Sequence, residues 1–253
     1  MNVMLDLDGV IWLAEKPIPG SPEAVERLRR AGHRVLFLTN NSNPTVADLI
    51  EKLAGMGIPA EPDEIAASSQ AAALLVEDGE TALVCGGEGV AEALRARGAQ
   101  TVYEGYADAV VVGFHREFDY KRLTAAFRAV IGGARLIGTN DDPTYPTPEG
   151  PVPGGGSLLA AVATAASAKA TVAGKPHQAM ADLVRSRLGE DLDGTVLVGD
   201  RPSTDGRMAE RLGVPFVLVQ TGVKEDPDPG IRVGAEAADL ASVVDDEGNV
   251  KGL

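Results

Sequence analysis

Short apolar runs that stop at clusters of polar residues set the rhythm of this chain. The run from Met1 to Leu5 stops at Asp6 and Asp8, and Val35 to Leu38 stops at Thr39, Asn40, Asn41 and Ser42. Ala170 to Ala173 is a weaker run closing on Gly174, Lys175 and Pro176, while Thr195 to Val198 ends in Gly199 and Asp200. Apolar runs of this length, bounded by turn residues, predict buried strands, and Pro215 to Val219 adds another. Between them the apolar period becomes helical. Ser21-Pro22-Glu23 reads as an N-cap, a first-turn proline and an early acid, followed by Ala24, Val25, Leu28 and Ala31 until Gly32 stops the run. Further helices are predicted over Thr45 to Met56, Ser69 to Val76 and His177 to Leu188, and around Met208, Ala209 and Leu212 before Gly213.

The middle of the chain repeats the same alternation on its own. Thr81 to Cys85 and Ala109 to Val112 read as strands, Gly89 to Arg97 and Tyr120 to Ile131 as helices, and the stretch after Ser157 as an alanine-rich helix. Such a segment can bury a core of its own, so residues 78–168 are predicted to form a second domain interrupting a first one made of 1–77 and 169–253. Alternating strands and helices place the chain in the α/β class with a mostly parallel sheet. Ligands in such sheets sit beyond the carboxyl ends of the strands, which predicts that the four polar clusters meet in one cleft.

The residue types in those clusters suggest a chemistry. Asp6 and Asp8 are two apart, so a strand end aims both carboxylates at one volume. Their repulsion calls for a cation, and Mg²⁺ suits hard oxygen ligands used one or two at a time. Thr39, Asn40 and Lys175 supply donors for phosphate oxygens, and Asp200 is a third acid. Each has a plainer reading: Asp8-Gly9 as a turn, Thr39 and Asn40 as caps for the helix near Thr45, Lys175 as a solvated loop residue, Asp200 as a turn residue and Asp205 as an N-terminal helix acid. All of these holding together at four strand ends is a poorer explanation than one site.

The motifs D-L-D-G-V (Asp6 to Val10), L-T-N-N (Leu38 to Asn41), G-K-P (Gly174 to Pro176) and G-D-R-x-x-T-D (Gly199 to Asp205) occur in order and resemble the four motifs of the haloacid dehalogenase (HAD) superfamily. T-N-x-D-x-x-x-P at Thr139 to Pro146 and P-G-x-G-S at Pro153 to Ser157 are similar to its HAD-IIA branch, the NagD-like and 4-nitrophenylphosphatase-type phosphatases. The resemblance implies a Rossmann-like parallel-sheet core with an inserted α/β cap over 78–168, and a flap over Val10 to Gly20. It also implies a Mg²⁺-dependent phosphatase that works through an aspartyl phosphate: Asp6 as nucleophile and Asp8 as acid and base. Gly9, Thr39, Asn40 and Lys175 would hold the phosphoryl group. Asp6, the Asp8 carbonyl, Asp200 and Asp205 would hold or orient the metal. Two departures stand out. Pro202 and Ser203 replace the branch's usual Leu and polar residue, and Gly113-Phe114-His115 stands where Gly-Leu-Asp is common. Cap residues His115, Arg116, Asn140, Asp142 and Tyr145 are expected to rank substrates while leaving a small activated ester less affected.

Composition narrows the partners. With 253 residues and 44% hydrophobic content the chain can bury a substantial core. A formal net charge of −14 disfavours nucleic acid and anionic membrane surfaces, and the resemblance implies a small phosphorylated metabolite as the partner. The one cysteine, Cys85, excludes an internal disulfide and a multi-cysteine zinc site, and its apolar run predicts a buried structural thiol. No basic-plus-apolar leader and no long apolar run is present, which predicts a cytoplasmic protein. Gly154 to Ser157 lacks the Walker spacing, and no G-x-G-x-x-G follows the first strand, so nucleotide-binding loops are disfavoured. A phosphotransferase or phosphomutase of the same superfamily, or a non-catalytic binding module, would share these residues. The physiological substrate and the oligomeric state, a homo-oligomer included, are left open.

Overall fold

The protein is described by a computed structural model covering residues 1–147, 150–225 and 230–251. In chain order the elements are β1 (Asn2–Asp6), β2 (Trp12–Leu13), β3 (Lys16–Pro17), α1 (Ser21–Arg30), β4 (Arg34–Thr39), α2 (Val46–Gly55), β5 (Ile65–Ala67) and α3 (Ser68–Ala73). There follow β6 (Thr81–Cys85), α4 (Glu88–Ala96), β7 (Gln100–Val102), β8 (Ala109–Val112), α5 (Tyr120–Ile131), β9 (Arg135–Gly138), β10 (Thr144–Tyr145), β11 (Val152–Pro153) and α6 (Gly155–Ala166). The last are β12 (Thr171–Val172), α7 (Gln178–Leu188), β13 (Thr195–Gly199), α8 (Arg207–Leu212), β14 (Phe216–Val219), β15 (Ala235–Ala237) and α9 (Leu240–Val243). They form two compact units. One comprises Met1–Thr39, Leu49–Ala66 and Val184–Leu253; the other comprises Asn40–Asp48 and Ala67–Leu183.

The first unit is built on a six-stranded sheet in the order β15-β14-β13-β1-β4-β5. Strand β1 is central, parallel to β13 on one side and β4 on the other, and Val3, Met4 and Leu5 are fully buried. Burial of each such side chain contributes about 1.5–3 kcal/mol, which fixes the strand whose end carries Asp6. The chain leaves β1 toward β4 and returns beside it as β13, so β1 lies where the strand order reverses, the place at which open α/β sheets bind ligands.

The second unit holds an all-parallel five-stranded sheet in the order β12-β9-β8-β6-β7. Its core is a cluster that includes Leu83, Cys85, Val110, Val112, Leu136, Leu159 and Val162, from β6, β8, β9 and α6, together with Ala126 of α5. Burial pushes the Cys85 thiol up to about 12, as expected of a structural cysteine.

Three local readings of the sequence need correction. Ser21 does not cap α1: the N-cap is Gly20, and the buried Ser21 hydroxyl donates to the Val10 carbonyl at 2.8 Å. Thr39 and Asn40 do not cap α2 either, because Thr45 fills that place, with Asp48 N–H donating to Thr45 Oγ1 and Thr45 N–H to the Asp48 carboxylate at 3.1 and 2.9 Å. The run Ala170 to Ala173 was expected in the same sheet as β1. Its ordered part, β12, instead pairs with β9 and closes the five-stranded sheet, since only two residues are extended and their register partners are Ile137 and Gly138.

Candidate active site

Register brings the acidic strand ends of the first unit to one edge. Asp6 lies opposite Leu38, so Thr39 is one step further along; Leu5 lies opposite Val198, so Gly199 and Asp200 follow. Asp6, Asp200 and Asp205 are all buried, and one carboxylate oxygen from each lies within 4.8 Å of the others. At that spacing each ionised pair repels by roughly 3 kcal/mol at an effective dielectric of about 20. Three hard oxygen donors in a buried cluster fit a divalent cation such as Mg²⁺, whose charge offsets that repulsion.

The chain around each acid explains its place. Gly9 has φ +95°, a conformation L side chains rarely adopt, and a Cβ there would lie 2.6 Å from the Asp200 Cγ. Gly222, after β14, would place a Cβ 1.9 Å from Asp200 Oδ2, and the Val223 N–H donates to that same oxygen at 2.6 Å. Thr221 Oγ1 donates to the Gly9 carbonyl, tying the two glycine-bearing loops together. Asp205 sits in a π-helical turn, Pro202–Gly206, which is where Pro202 and Ser203 depart from the expected motif. The turn still delivers the acid: Arg201 N–H donates to Asp205 Oδ2 at 3.2 Å, and Gly199 leaves room for it.

Asp8 stands apart from the three-acid cluster. Its Oδ1 accepts the Trp12 Nε1 hydrogen at 3.0 Å, and the Gly9 N–H donates to the Trp12 carbonyl at 2.7 Å. Trp12 is buried in the β2–β3 hairpin, and Lys52 Nζ lies 4.5 Å from its ring centroid while donating to the Ala14 carbonyl at 2.7 Å. The segment Val10 to Gly20 thus does more than connect β1 to α1: it aims the Asp8 carboxylate. An indole carries a single N–H, so this contact engages one oxygen of Asp8.

In the second unit Asn40 and Lys175 are linked directly. Asn40 Nδ2 donates to the Lys175 carbonyl and to Asp142 Oδ2, both at 3.0 Å, and Asn40 Oδ1 accepts the Lys175 N–H at 2.8 Å. The Asn40 carbonyl accepts from Asn140 Nδ2 at 2.7 Å and from Ser68 Oγ at 2.8 Å. Lys175 is buried at 2% exposure, which removes the reading of it as a solvated loop residue. Nearby, His177 Nε2 lies 3.0 Å from Asp141 Oδ2, and this hydrogen bond holds the Asp141 carboxyl below its usual range.

A haloacid dehalogenase-like hydrolase model matches residues 3–100, and a HAD-hydrolase-like model matches residues 172–246. The chain belongs to the haloacid dehalogenase-like hydrolases. A glycerol-3-phosphate phosphatase of Gallus gallus is 36% identical over 249 residues, covering 88% of this chain and 80% of the relative. Among solved structures, a glycerol phosphate phosphatase from Mycobacterium tuberculosis in complex with magnesium superposes with a TM-score of 0.86 at 31% identity, covering 95% of this chain and 75% of the other. A p-nitrophenyl phosphatase from Archaeoglobus fulgidus gives a TM-score of 0.87 at 30% identity, covering 95% and 97%.

Within this HAD hydrolase the residue expected to be unusual, His115, is buried and has its Nδ1 3.1 Å from the Gly113 carbonyl. Burial pushes its pKa down, favouring the neutral ring. The preceding Phe114 stacks on Tyr145 with centroids 4.9 Å apart and planes at 23°. Sequence reading passed over Trp12 as a partner of Asp8 and over Gly222 and Val223 as the seat of Asp200. The signal for the latter pair was present, because β14 is another strand of the same sheet and its polar end follows at Gln220 and Thr221.

Proposed function

We propose that this HAD phosphatase hydrolyses small phosphomonoesters through an aspartyl phosphate on Asp6, with Mg²⁺ as its cofactor. The buried cluster of Asp6, Asp200 and Asp205 carries the reading, since a divalent cation bound among three acids this close offsets their mutual repulsion. Asp6 attacks phosphorus, forming one P–O bond as the bond to the leaving oxygen breaks. Asp8, oriented by Trp12, gives its proton to that oxygen and later takes one from the water that hydrolyses the acyl phosphate, a role typically contributing ~10²–10⁴-fold. Asp6, Asp200, Asp205 and the Asp8 carbonyl would hold the metal, which when bound neutralises charge on the phosphoryl oxygens. The Gly9 main chain, Thr39, Asn40 and Lys175 complete the phosphoryl cradle.

Residues 78–168 act in this reading as a cap that selects the leaving group. The relatives named for glycerol phosphate support a small phosphorylated metabolite as substrate. No helix among the described residues is long and apolar enough to cross a membrane, in keeping with a cytoplasmic site of action. The test is release of inorganic phosphate from 4-nitrophenyl phosphate and a phosphometabolite panel, with no added acceptor. Release that disappears with a chelator and returns with Mg²⁺ is expected. Full turnover in metal-free buffer, or none without a second hydroxyl compound, would overturn the hydrolase reading.

A further inference from the structure

Asp142 was expected, with the rest of its loop, to contact the variable part of the substrate. Its Oδ2 accepts a hydrogen bond from Asn40 Nδ2 at 3.0 Å. A carboxamide has two N–H donors, and those of Asn40 go to Asp142 Oδ2 and the Lys175 carbonyl, while its oxygen accepts the Lys175 N–H. The side chain of Asn40 is therefore a bracket: it grips the Lys175 peptide from both ends and is itself held by Asp142. Gly174 fits the same arrangement, because a Cβ there would lie 2.5 Å from Asn40 Oδ1. The main chain of Asn40 is fixed as well, its carbonyl accepting from Asn140 Nδ2.

We infer that Asp142 is a positioning residue for phosphoryl transfer, acting through the Asn40 carboxamide on the placement of Lys175, and not a selector of the leaving group. This rests on the proposed role of Asn40 and Lys175 in holding the phosphoryl group. A carboxylate accepting an amide N–H forms a stronger bond than a neutral acceptor does, and it fixes which way round the carboxamide lies. Releasing it lets Asn40 rotate and Lys175 drift; displacements near 1 Å at such positions cost on the order of 10²-fold in rate.

The experiment compares Asp142→Ala, Asp142→Asn, Asn40→Ala and the Asn40→Ala/Asp142→Ala double variant. It measures kcat/KM for 4-nitrophenyl phosphate and for glycerol phosphate, and the competitive inhibition constant of inorganic phosphate, which has no leaving group. Asp142→Ala is expected to lower both kcat/KM values by the same factor, about 10- to 100-fold, and to raise the phosphate constant in parallel. Asp142→Asn keeps an oxygen acceptor and should stay within about threefold of wild type. The double variant should be no worse than Asn40→Ala alone, since both changes break one linkage. A changed substrate ranking with an unaltered phosphate constant would overturn the inference, as would additive effects in the cycle. If Asp142→Ala does not fold, Asp142→Leu, similar in shape and without acceptors, makes the same comparison. Separately, Asn40→Ala and Lys175→Ala enzymes with wild-type phosphate inhibition would refute the underlying phosphoryl-cradle assignment, whatever Asp142 does.

Discussion

Replacing Gly222 with alanine adds one methyl group beside Asp200 and nothing else. Its Cβ would sit 1.9 Å from Oδ2 and 2.5 Å from Cγ, about 1.5 Å short of ordinary contact, which begins near 3.4 Å. The carboxylate or the loop must move by that amount, and either movement breaks the 2.6 Å bond from the Val223 N–H to Oδ2. Overpacking of this kind costs about 1–3 kcal/mol of stability, and each kcal/mol lowers the melting temperature of a chain this size by about 2–4 °C. The larger effect should fall on the metal: displacing a ligand or its supports typically weakens affinity or activity 10- to 100-fold. The assay is phosphate release against Mg²⁺ concentration, where Gly222→Ala should raise the half-activating concentration by about that factor and recover much of its kcat at saturation. Gly55→Ala is the control, because beyond its chain neighbours and the backbone of its own helix nothing lies within 4 Å of its Cβ position, and it should leave the Mg²⁺ curve unchanged. A folded Gly222→Ala protein with the wild-type Mg²⁺ requirement would refute Asp200 as a ligand seated by this loop.

Asp6→Asn should keep the fold and reduce hydrolysis of 4-nitrophenyl phosphate to background, because an amide is a far poorer nucleophile; wild-type turnover in a clean preparation would remove Asp6 from that role. Trp12→Phe keeps an aromatic ring under Lys52 but loses the Nε1 hydrogen bond to Asp8, so kcat for a poor leaving group such as glycerol should fall more than kcat for 4-nitrophenol, and equal losses would argue against Asp8 as the acid. His115 is neutral in the fold with its pKa pushed below the unfolded value of about 6.5, so below that pH the unfolded chain binds the extra proton and stability falls as pH drops, by up to about 1.4 kcal/mol per unit, until the folded pKa is reached. Urea midpoints at pH 7.5 and 5.0 should therefore separate less in His115→Gln than in wild type; an identical pH dependence would exclude His115 as the source.

The strand-end acids were readable because strand periodicity and the parallel α/β rule together dictate where a strand's last residue goes. Asp6, Thr39 and Asp200 needed no knowledge beyond that, and the motifs of the HAD family supplied Asp205. What the sequence concealed were choices between equally good local partners. Ser21 looks like a cap in any sequence, yet its hydroxyl serves the Val10 carbonyl because Gly20 adopts the left-handed conformation that begins α1. Thr39, Asn40 and Thr45 were all chemically able to cap α2, and the Thr45–Asp48 pair alone has the i, i+3 spacing. Strand β12 was placed in the wrong sheet because its two extended residues carry too little pattern to choose a neighbour; the structure pairs it in parallel with β9, the preceding strand of the five-stranded sheet. Asn40 and Asp142 are 102 residues apart, and no local period can announce a hydrogen bond at that separation.

Cys85 gives the second unit a built-in clock. It is the chain's one thiol, it ends β6 inside the five-stranded sheet, and its elevated pKa leaves almost no thiolate at neutral pH. Cys85 is 1% exposed, so an alkylating reagent reaches it only when that sheet opens, and the labelling rate of the native protein reports the opening of one unit while the other goes unseen.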